Sequence, residues 1–333
     1  MSRLRVAING FGRIGRLVLR AALEAKRDDI EFVAVNDLAP AEQNAYLLEY
    51  DSVHGKLPMK VELKDDYILV GNQKIKCISE KDPTKLPWGD MDIDIVMECT
   101  GIFTAAEKAK VHLECGAKRV LVSAPSAGAD KTIVYGVNQD TLTDKDLIVS
   151  NASCTTNCLA PVAKVLDETF GINSGWMTTV HSYTGDQQLL DKNHKDFRRA
   201  RAAGLSMIPT STGAAKAIGL VLPNLAGKLD GMAIRVPTPD VSVVELVVNT
   251  NKPATVESVN AAMKAATSAT FGYTDLPLVS VDFTGDAHSS IFDASQTKVL
   301  GENLIHVTAW YDNEWGFSNR MGDTAVAMGK LIK

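Results

Sequence analysis

LRVAINGFGRIGRLVLRAALEA (4–25), followed by EFVAVND (31–37), decides the fold of the first half of this chain. Val6, Ala7 and Ile8 lead a short apolar run of the kind that forms a parallel strand covered on both faces. The run enters Gly10-Phe11-Gly12-Arg13-Ile14-Gly15, a GxGxxG turn, and a helix is predicted from about Ile14 to Ala25. Residues 31–37 then read as a second strand that closes a β-α-β unit. In such a turn Gly10 permits the tight bend and Gly12 lets the backbone approach a pyrophosphate. Gly15 lets the helix pack on the strand, and the helix start meets the phosphate charge. A bare GxGxxG is a weak signal, compatible with an ordinary glycine turn and with Asp37 as a capping residue. Here Asp37 ends the second strand about 20 residues past the turn, where an acid accepts hydrogen bonds from a ribose 2′-hydroxyl. That context points to a dinucleotide, and a carboxylate there repels a 2′-phosphate, which favours NAD over NADP.

Outward from this unit the same rhythm continues. DIDIVMECT (92–100), RVLVSAP (119–125), TIVYGV (132–137) and LIVSN (147–151) are further apolar, β-branched runs, and TAAEKAKVHLECG (104–116) reads as a helix between two of them. Residues 1–150 are therefore expected to form a Rossmann-type doubly wound parallel sheet, an α/β domain. After residue 151 the pattern changes. A helix starts near Thr155, and a strand over 174–182 leads into a long polar, basic segment, 183–207. Connections of that length are commonly functional. Strands over 232–237 and 241–250, a helix over 255–268 and more strands through 312 predict an α+β catalytic domain, 151–314, with a largely antiparallel sheet. The last segment, 315–333, is expected to be a helix that packs back on the first domain.

With 333 residues the chain suits two domains. A hydrophobic fraction of 45% and a charged fraction of 23% are ordinary for globular proteins. No apolar run approaches the roughly 20 residues of a membrane span, and MSRLRVAING lacks the apolar core of a signal peptide. A net charge of −5 argues against a primary nucleic-acid role, although HKDFRRARAA (194–203) is locally basic. Five cysteines without close pairing, and no CxxC or HExxH, predict reduced thiols in a cytoplasmic protein with no metal site.

The chemistry concentrates in SNASCTTNC (150–158), which joins a strand to a helix. Cys154 falls in the first turn of that helix, where free amides and the helix dipole stabilise a thiolate. Ser153, Thr155 and Thr156 add donors for an anion. Free cysteine is commonly a small buried hydrophobe, which suits Cys77, Cys99, Cys115 and Cys158 better than Cys154. Of the six histidines, His181 is the best candidate base, because it ends an apolar strand beside Ser182 and Tyr183. Spacing alone leaves open whether it meets Cys154. Ser211-Thr212-Gly213-Ala214-Ala215-Lys216 reads as another helix start fit for an anion. Arg198, Arg199 and Arg201 precede it, and Arg235 sits in an otherwise apolar strand, where a charge needs a reason. An interdomain ion pair or a solvated face would also account for these arginines. Together they suggest a substrate that carries phosphate.

These segments closely resemble bacterial glyceraldehyde-3-phosphate dehydrogenases. INGFGRIGR (8–16), SAPS (123–126), SNASCTTNCLAP (150–161), HSYTGDQ (181–187), STGAAKA (211–217), RVPTPDVSVVEL (235–246) and YDNEWGFSNR (311–320) match that family's motifs. The resemblance implies oxidation of glyceraldehyde 3-phosphate with NAD and inorganic phosphate, with Cys154 as nucleophile and His181 as the residue that activates it. It implies cofactor contacts at Gly10, Gly12, Arg13, Ile14, Gly15, Asp37, Lys81, Ser123 and Asn313. Thr184 and Arg235 correspond to groups that hold the substrate's own phosphate, and Ser153, Thr155, Arg199, Thr212 and Gly213 to the site of the attacking phosphate or nearby substrate contacts. The segment 183–207 resembles the loop that lies near a neighbouring subunit's cofactor in a homotetramer. Lys81 stands where many relatives have arginine, and it loses the planar fork. Lys192-Asn193 stands where NAD-specific relatives often have Leu-Pro, which leaves NADP use open, whereas Leu38 looks like the NAD form. Alternative readings are the erythrose-4-phosphate dehydrogenase group, in which the SAPS and STGAAKA segments are usually altered, a non-catalytic NAD-responsive binding protein, and a cysteine hydrolase.

Overall fold

The computed structural model describes residues 3–332, so the outer ends of the expected first domain (residues 1 and 2) and of the expected terminal helix (residue 333) lie outside the described residues. The chain forms two units. The first contains residues 3–135, 139–152 and 318–332, and the second contains 136–138 and 153–317.

The first unit is built on a nine-stranded sheet. Its strand order is Lys131–Thr132, Ile148–Ser150, Arg119–Val122, Ile95–Glu98, Leu4–Asn9, Ile30–Asn36, Gln73–Ile78, Tyr67–Val70 and Val61–Lys64. All neighbours are parallel from Lys131–Thr132 to Gln73–Ile78. Leu4–Asn9 has Ile30–Asn36 on one side and Ile95–Glu98 on the other, so the strand order reverses there. That reversal opens a crevice at the carboxyl ends of the strands, the usual ligand site of an open α/β sheet. The helix Arg13–Glu24 buries Leu17, Val18, Leu19 and Leu23. The terminal helix Trp315–Gly329 reaches this unit through Thr324, whose hydroxyl donates to the Asn151 side chain at 2.8 Å.

Three details differ from the sequence reading. Val61–Lys64 and Tyr67–Val70, antiparallel strands at one end of the sheet, and the parallel Gln73–Ile78 have no counterpart in it. Val61–Lys64 and Gln73–Ile78 alternate apolar with polar or charged residues, and Tyr67–Val70 is an apolar run of only four residues, so none matches the longer apolar runs of the central strands. Of TIVYGV (132–137), only Thr132 is in a strand; Gly136, at φ +92°, turns the chain away. The helix expected over 104–116 is two short pieces, Ala106–Ala109 and Val111–Glu114. Both pieces are α-helical, with Ala106, Ala109 and His112 as their buried positions, and they are broken at Lys110.

The second unit carries a seven-stranded sheet ordered Ile208–Ser211, Leu229–Val236, Ile172–Ser182, Ser242–Thr250, Leu304–Tyr311, Ser290–Leu300 and Phe271–Thr274. Two of the pairings, Ile172–Ser182 with Leu229–Val236 and Phe271–Thr274 with Ser290–Leu300, are parallel; the others are antiparallel. The helix Cys154–Phe170 lies against this sheet and buries Cys158, Leu159, Val162 and Leu166. Cys158 Sγ sits 3.4 Å from Ser290 Oγ, inside that packing, which fits its reading as a buried hydrophobe.

Candidate active site

The crevice of the first unit is a cleft of about 500 Å³ lined by Gly10, Gly12, Asp37, Lys81, Thr100 and neighbouring residues. That volume lies within the range of small-molecule sites. Its glycines divide the work as their spacing implies. Gly10 is at φ +91°, and a Cβ there would stand 2.6 Å from the Thr100 nitrogen. A Cβ on Gly15 would stand 2.2 Å from the Gly10 carbonyl oxygen, so the helix can pack only on a glycine. Gly12 lines the cleft with open space where a Cβ would go, and it begins the helix Arg13–Glu24 with no side-chain cap. The helix start is thus left to a ligand in the cleft, and these residues fit a dinucleotide phosphate.

Asp37 accepts from the Phe11 amide at 2.8 Å and from the Ala39 amide at 2.9 Å. These bonds fix its carboxylate on the cleft wall. Lys81 is exposed at the cleft edge. Arg13 points elsewhere: its guanidinium grips Asp51, with Nη1 3.0 Å from Oδ2. Burial pushes Asp51 up, but the His54 and Val53 amides and then Arg13 outweigh it and hold the carboxyl at about 2. Any contact of Arg13 with a cofactor is therefore made by its backbone or while it stays paired. Ile14 follows in the first helical turn. Ser123 hydrogen-bonds Cys99, which lines the cleft.

The second unit joins Cys154 and His181, which spacing alone had left unconnected. The helix starts at Cys154 because Ser153, in extended geometry, accepts from the Thr156 amide at 3.0 Å. Cys154 Sγ lies 3.5 Å from His181 Nε2. His181 Nδ1 is 2.7 Å from the Ser182 carbonyl oxygen and 3.1 Å from Arg235 Nη1. A carbonyl can only accept and a guanidinium can only donate, so the two contacts ask for opposite tautomers; the shorter bond, to Ser182, assigns the proton to Nδ1, and Arg235 then serves the same carbonyl at 3.2 Å and Thr184 Oγ1 at 3.4 Å. The Nε2 lone pair therefore faces the thiol.

Burial and then the Arg235 charge push His181 down to about 3. Burial also pushes the Cys154 thiol up, against the Arg235 charge and the Thr155 hydroxyl and amide, which pull it down. Neither group is favourable as a lone ion. Passing the thiol proton to Nε2 creates two opposite charges at contact, which stabilise each other.

The remaining positions divide between ligand-facing and supporting roles. Arg199 donates to Thr210 Oγ1 at 3.0 Å and to Asp186 at 2.6 Å, and its charge acts on both His181 and Arg235. Thr212 Oγ1 accepts from the Ala214 amide at 3.2 Å, and Gly213 opens the helix Ala214–Val221 with free space where a Cβ would stand. Three supporting groups have no clear sequence signal. Tyr311, fully buried, bonds both Thr155 and Thr179 at 2.9 Å and stands edge-on to the His181 ring at 5.9 Å. Ser182 and Ser242 both donate to Asn313 Oδ1 at 2.8 Å, which leaves the NH₂ end of that amide as the donor for a ligand. All three lie in quoted motifs, Tyr311 in YDNEWGFSNR, Ser182 in HSYTGDQ and Ser242 in RVPTPDVSVVEL, but nothing in their residue types singles them out within those motifs.

Two family profiles match the chain. "Glyceraldehyde 3-phosphate dehydrogenase, NAD binding domain" covers residues 4–106, and "Glyceraldehyde 3-phosphate dehydrogenase, C-terminal domain" covers residues 153–313. The chain is 63% identical to glyceraldehyde-3-phosphate dehydrogenase of Cereibacter sphaeroides over 99% of both chains. It is 60% identical to that of Xanthobacter flavus, over 98% of this chain and 99% of the relative. It is 55% identical to that of Zymomonas mobilis subsp. mobilis, over 99% of both.

Proposed function

The chain belongs to the glyceraldehyde-3-phosphate dehydrogenase family, and from that premise we propose how its own residues carry out the NAD-dependent, phosphorylating oxidation of glyceraldehyde 3-phosphate. The observation that carries the reading is the Cys154–His181 pair, with the imidazole lone pair turned to the thiol.

His181 Nε2 takes the thiol proton as Sγ attacks the aldehyde carbon, and a hemithioacetal forms on Cys154. The amides at the start of the helix Cys154–Phe170 and the His181 imidazolium stabilise the developing oxyanion. Bound NAD supplies the acceptor for the hydride that leaves the hemithioacetal carbon. The oxyanion first takes the Nε2 proton back, which makes the hemithioacetal hydroxyl and returns His181 to its neutral form; as the hydride leaves, that hydroxyl proton passes to Nε2 again and a thioester remains on Cys154. Inorganic phosphate attacks the thioester, the Cys154 thiolate leaves, and 1,3-bisphosphoglycerate is released. Arg235 and Thr184 hold the substrate's phosphate, and Arg199, Thr212, Gly213, Ser153 and Thr155 surround the attacking one. Asn313, whose oxygen is taken by Ser182 and Ser242, would offer its NH₂ end to the cofactor. Gly10, Gly12, Ile14, Gly15, Asp37, Lys81 and Ser123 belong to the cofactor site of the first unit, with Arg13 held on Asp51.

The protein acts as a homotetramer in the cytoplasm. Supporting the assembly, Leu189, Leu190, Phe197, Leu205 and Met207 expose 73–88% of their surface in the 183–207 region, apolar side chains that a neighbouring subunit would cover. Supporting the location, no helix among the described residues is long and apolar enough to cross a membrane.

The test follows nicotinamide reduction with glyceraldehyde 3-phosphate, with and without inorganic phosphate, and with NADP and erythrose 4-phosphate in parallel. Rapid, phosphate-dependent reduction of NAD, abolished in Cys154→Ser, is expected. A faster rate with NADP would mean that Lys192-Asn193 outweighs Asp37. No sustained turnover by folded protein with a free Cys154 thiol would overturn the reading.

A further inference from the structure

Beneath the cofactor cleft lies a buried carboxyl that the reaction does not use. Glu98 ends the strand Ile95–Glu98 with 1% of its surface exposed, and it does not line the cleft. Four donors converge on it. His112 Nε2 at 2.9 Å and Asn9 Nδ2 at 2.7 Å meet Oε2; the Thr100 amide at 2.8 Å and the Thr100 hydroxyl meet Oε1. The direction of each bond is determined. Trp88 Nε1 can only donate, and it donates to His112 Nδ1 at 3.1 Å, so His112 Nε2 carries the hydrogen that points at Glu98.

From this carboxyl the bonds run outward to the cleft. Asn9, held by its NH₂, turns its oxygen to accept from Asn36 Nδ2 at 2.8 Å. Asn36 then clasps the Glu80 backbone, donating to its oxygen at 3.1 Å and accepting from its amide at 2.9 Å. Each end-point lines the cleft beside a residue of the cofactor site: Asn9 precedes Gly10, Asn36 precedes Asp37, and Glu80 precedes Lys81. The Thr100 nitrogen is the atom against which Gly10 packs too closely for a Cβ.

We propose that Glu98 is the positioning residue of the dinucleotide site, setting the Gly10 turn, the Asp37 strand end, the Lys81 loop and the Thr100 loop relative to one another. The inference rests on the reading of this cleft as the NAD site. Two of these segments, at Asn9 and Thr100, bond the carboxyl directly, and the other two reach it through Asn9 and then Asn36, so a change in that group is passed to all four. Such a buried network specifies geometry only while every member is satisfied. The carboxyl offers two acceptor oxygens, whereas the amide of Glu98→Gln offers one. Whichever way that amide turns, its NH₂ faces an N–H donor: Asn9 and His112 on one side, the Thr100 amide on the other.

The experiment measures the NAD dissociation constant by calorimetry for the full-length protein and Glu98→Gln, with kcat at saturating NAD and the alkylation rate of Cys154 alongside. Loss of a hydrogen bond to a charged group predicts a dissociation constant raised about tenfold or more. At saturation kcat is expected to stay within about threefold of the parent, and alkylation of Cys154 without cofactor to be unchanged. Thr100→Val, which removes one donor and keeps the carboxyl, covers the case in which Glu98→Gln does not fold; it should weaken NAD severalfold, and Thr100→Ser should restore it. A parent protein that does not bind NAD would overturn the proposed function itself. A parent that binds while Glu98→Gln and Thr100→Val bind as tightly would overturn the role of Glu98 alone. A kcat that falls by as large a factor as the dissociation constant rises would show general damage to the fold instead of positioning, and would overturn it too.

Discussion

Replacing His181 by asparagine tests the pairing on which the chemistry depends. The charges that proton transfer creates stand 3.5 Å apart. At an effective dielectric of about 20 their attraction is about 5 kcal/mol, or between about 3 and 4 pKa units. Asparagine removes it and leaves a thiol that burial already pushes up. The helix start, Arg235 and the Thr155 hydroxyl keep part of the thiolate's stabilisation, so the full figure is a ceiling. We expect the alkylation rate of Cys154 at pH 7 to fall about 100-fold, and its pH profile to move up by about two units. Parent and variant rates should converge only at a pH above both profiles, where both thiols are ionised. Turnover should fall by a factor on the order of 100 to 10,000, the usual cost of a lost acid–base group. The assay is alkylation with iodoacetamide across pH, read as loss of activity and as label on the Cys154 peptide. An unchanged profile would refute the reasoning, because it would mean that the thiolate owes nothing to the imidazole.

Two further outcomes follow from other parts of the molecule. Gly15→Ala forces a Cβ to 2.2 Å from the Gly10 carbonyl oxygen and 3.0 Å from Ile8 Cγ2, so thermal unfolding should occur at lower temperature, by about 1–3 kcal/mol in stability, and NAD affinity should drop with it; a parent-like melt with parent-like affinity would show that the helix can shift at no cost. Asp240 is held well above the usual carboxylate range by burial and then by the charges of Asp312 and Glu314. The folded protein therefore binds a proton that the unfolded chain releases near its ordinary value of 3.8, and stability is lost as pH rises from about 4 toward the raised value. Asp240→Asn should flatten that decline, raising the melting temperature more at pH 8 than at pH 5; equal changes at both pH values would contradict it.

Much of this was legible in the sequence where a local rule operates on neighbouring residues. The GxGxxG turn between a strand and a helix, with Asp37 at the next strand end, is such a case, because Gly15 packs on the Gly10 carbonyl of the same turn and Gly12 begins the helix beside it, although the close approach at Gly10 comes from Thr100 far along the chain. Cys154 at a helix start is another, since Ser153 supplies the cap one residue earlier. Cys154 and His181 are brought together by packing of the helix Cys154–Phe170 against the sheet that contains Ile172–Ser182, which spacing does not encode. The resemblance to a family supplied that pair, and the geometry adds the tautomer that makes it work. Tyr311, the two serines on Asn313 and the four donors on Glu98 stayed hidden for the same reason: each is an ordinary polar residue until distant strands bring its partners. Arg13 shows the converse. Its motif marks it as a cofactor contact, yet Asp51, far along the chain, takes its guanidinium.

The central claim is that oxidation leaves an acyl group on Cys154 and that phosphate removes it. Intact-mass and peptide mapping of the protein, quenched in acid after mixing with glyceraldehyde 3-phosphate and NAD in phosphate-free buffer, tests this directly. The account predicts one acyl thioester per chain, carried on the peptide that contains Cys154 and lost within the mixing time when inorganic phosphate is added. An unmodified Cys154 peptide during active nicotinamide reduction, or an acyl group that phosphate does not remove, would contradict it.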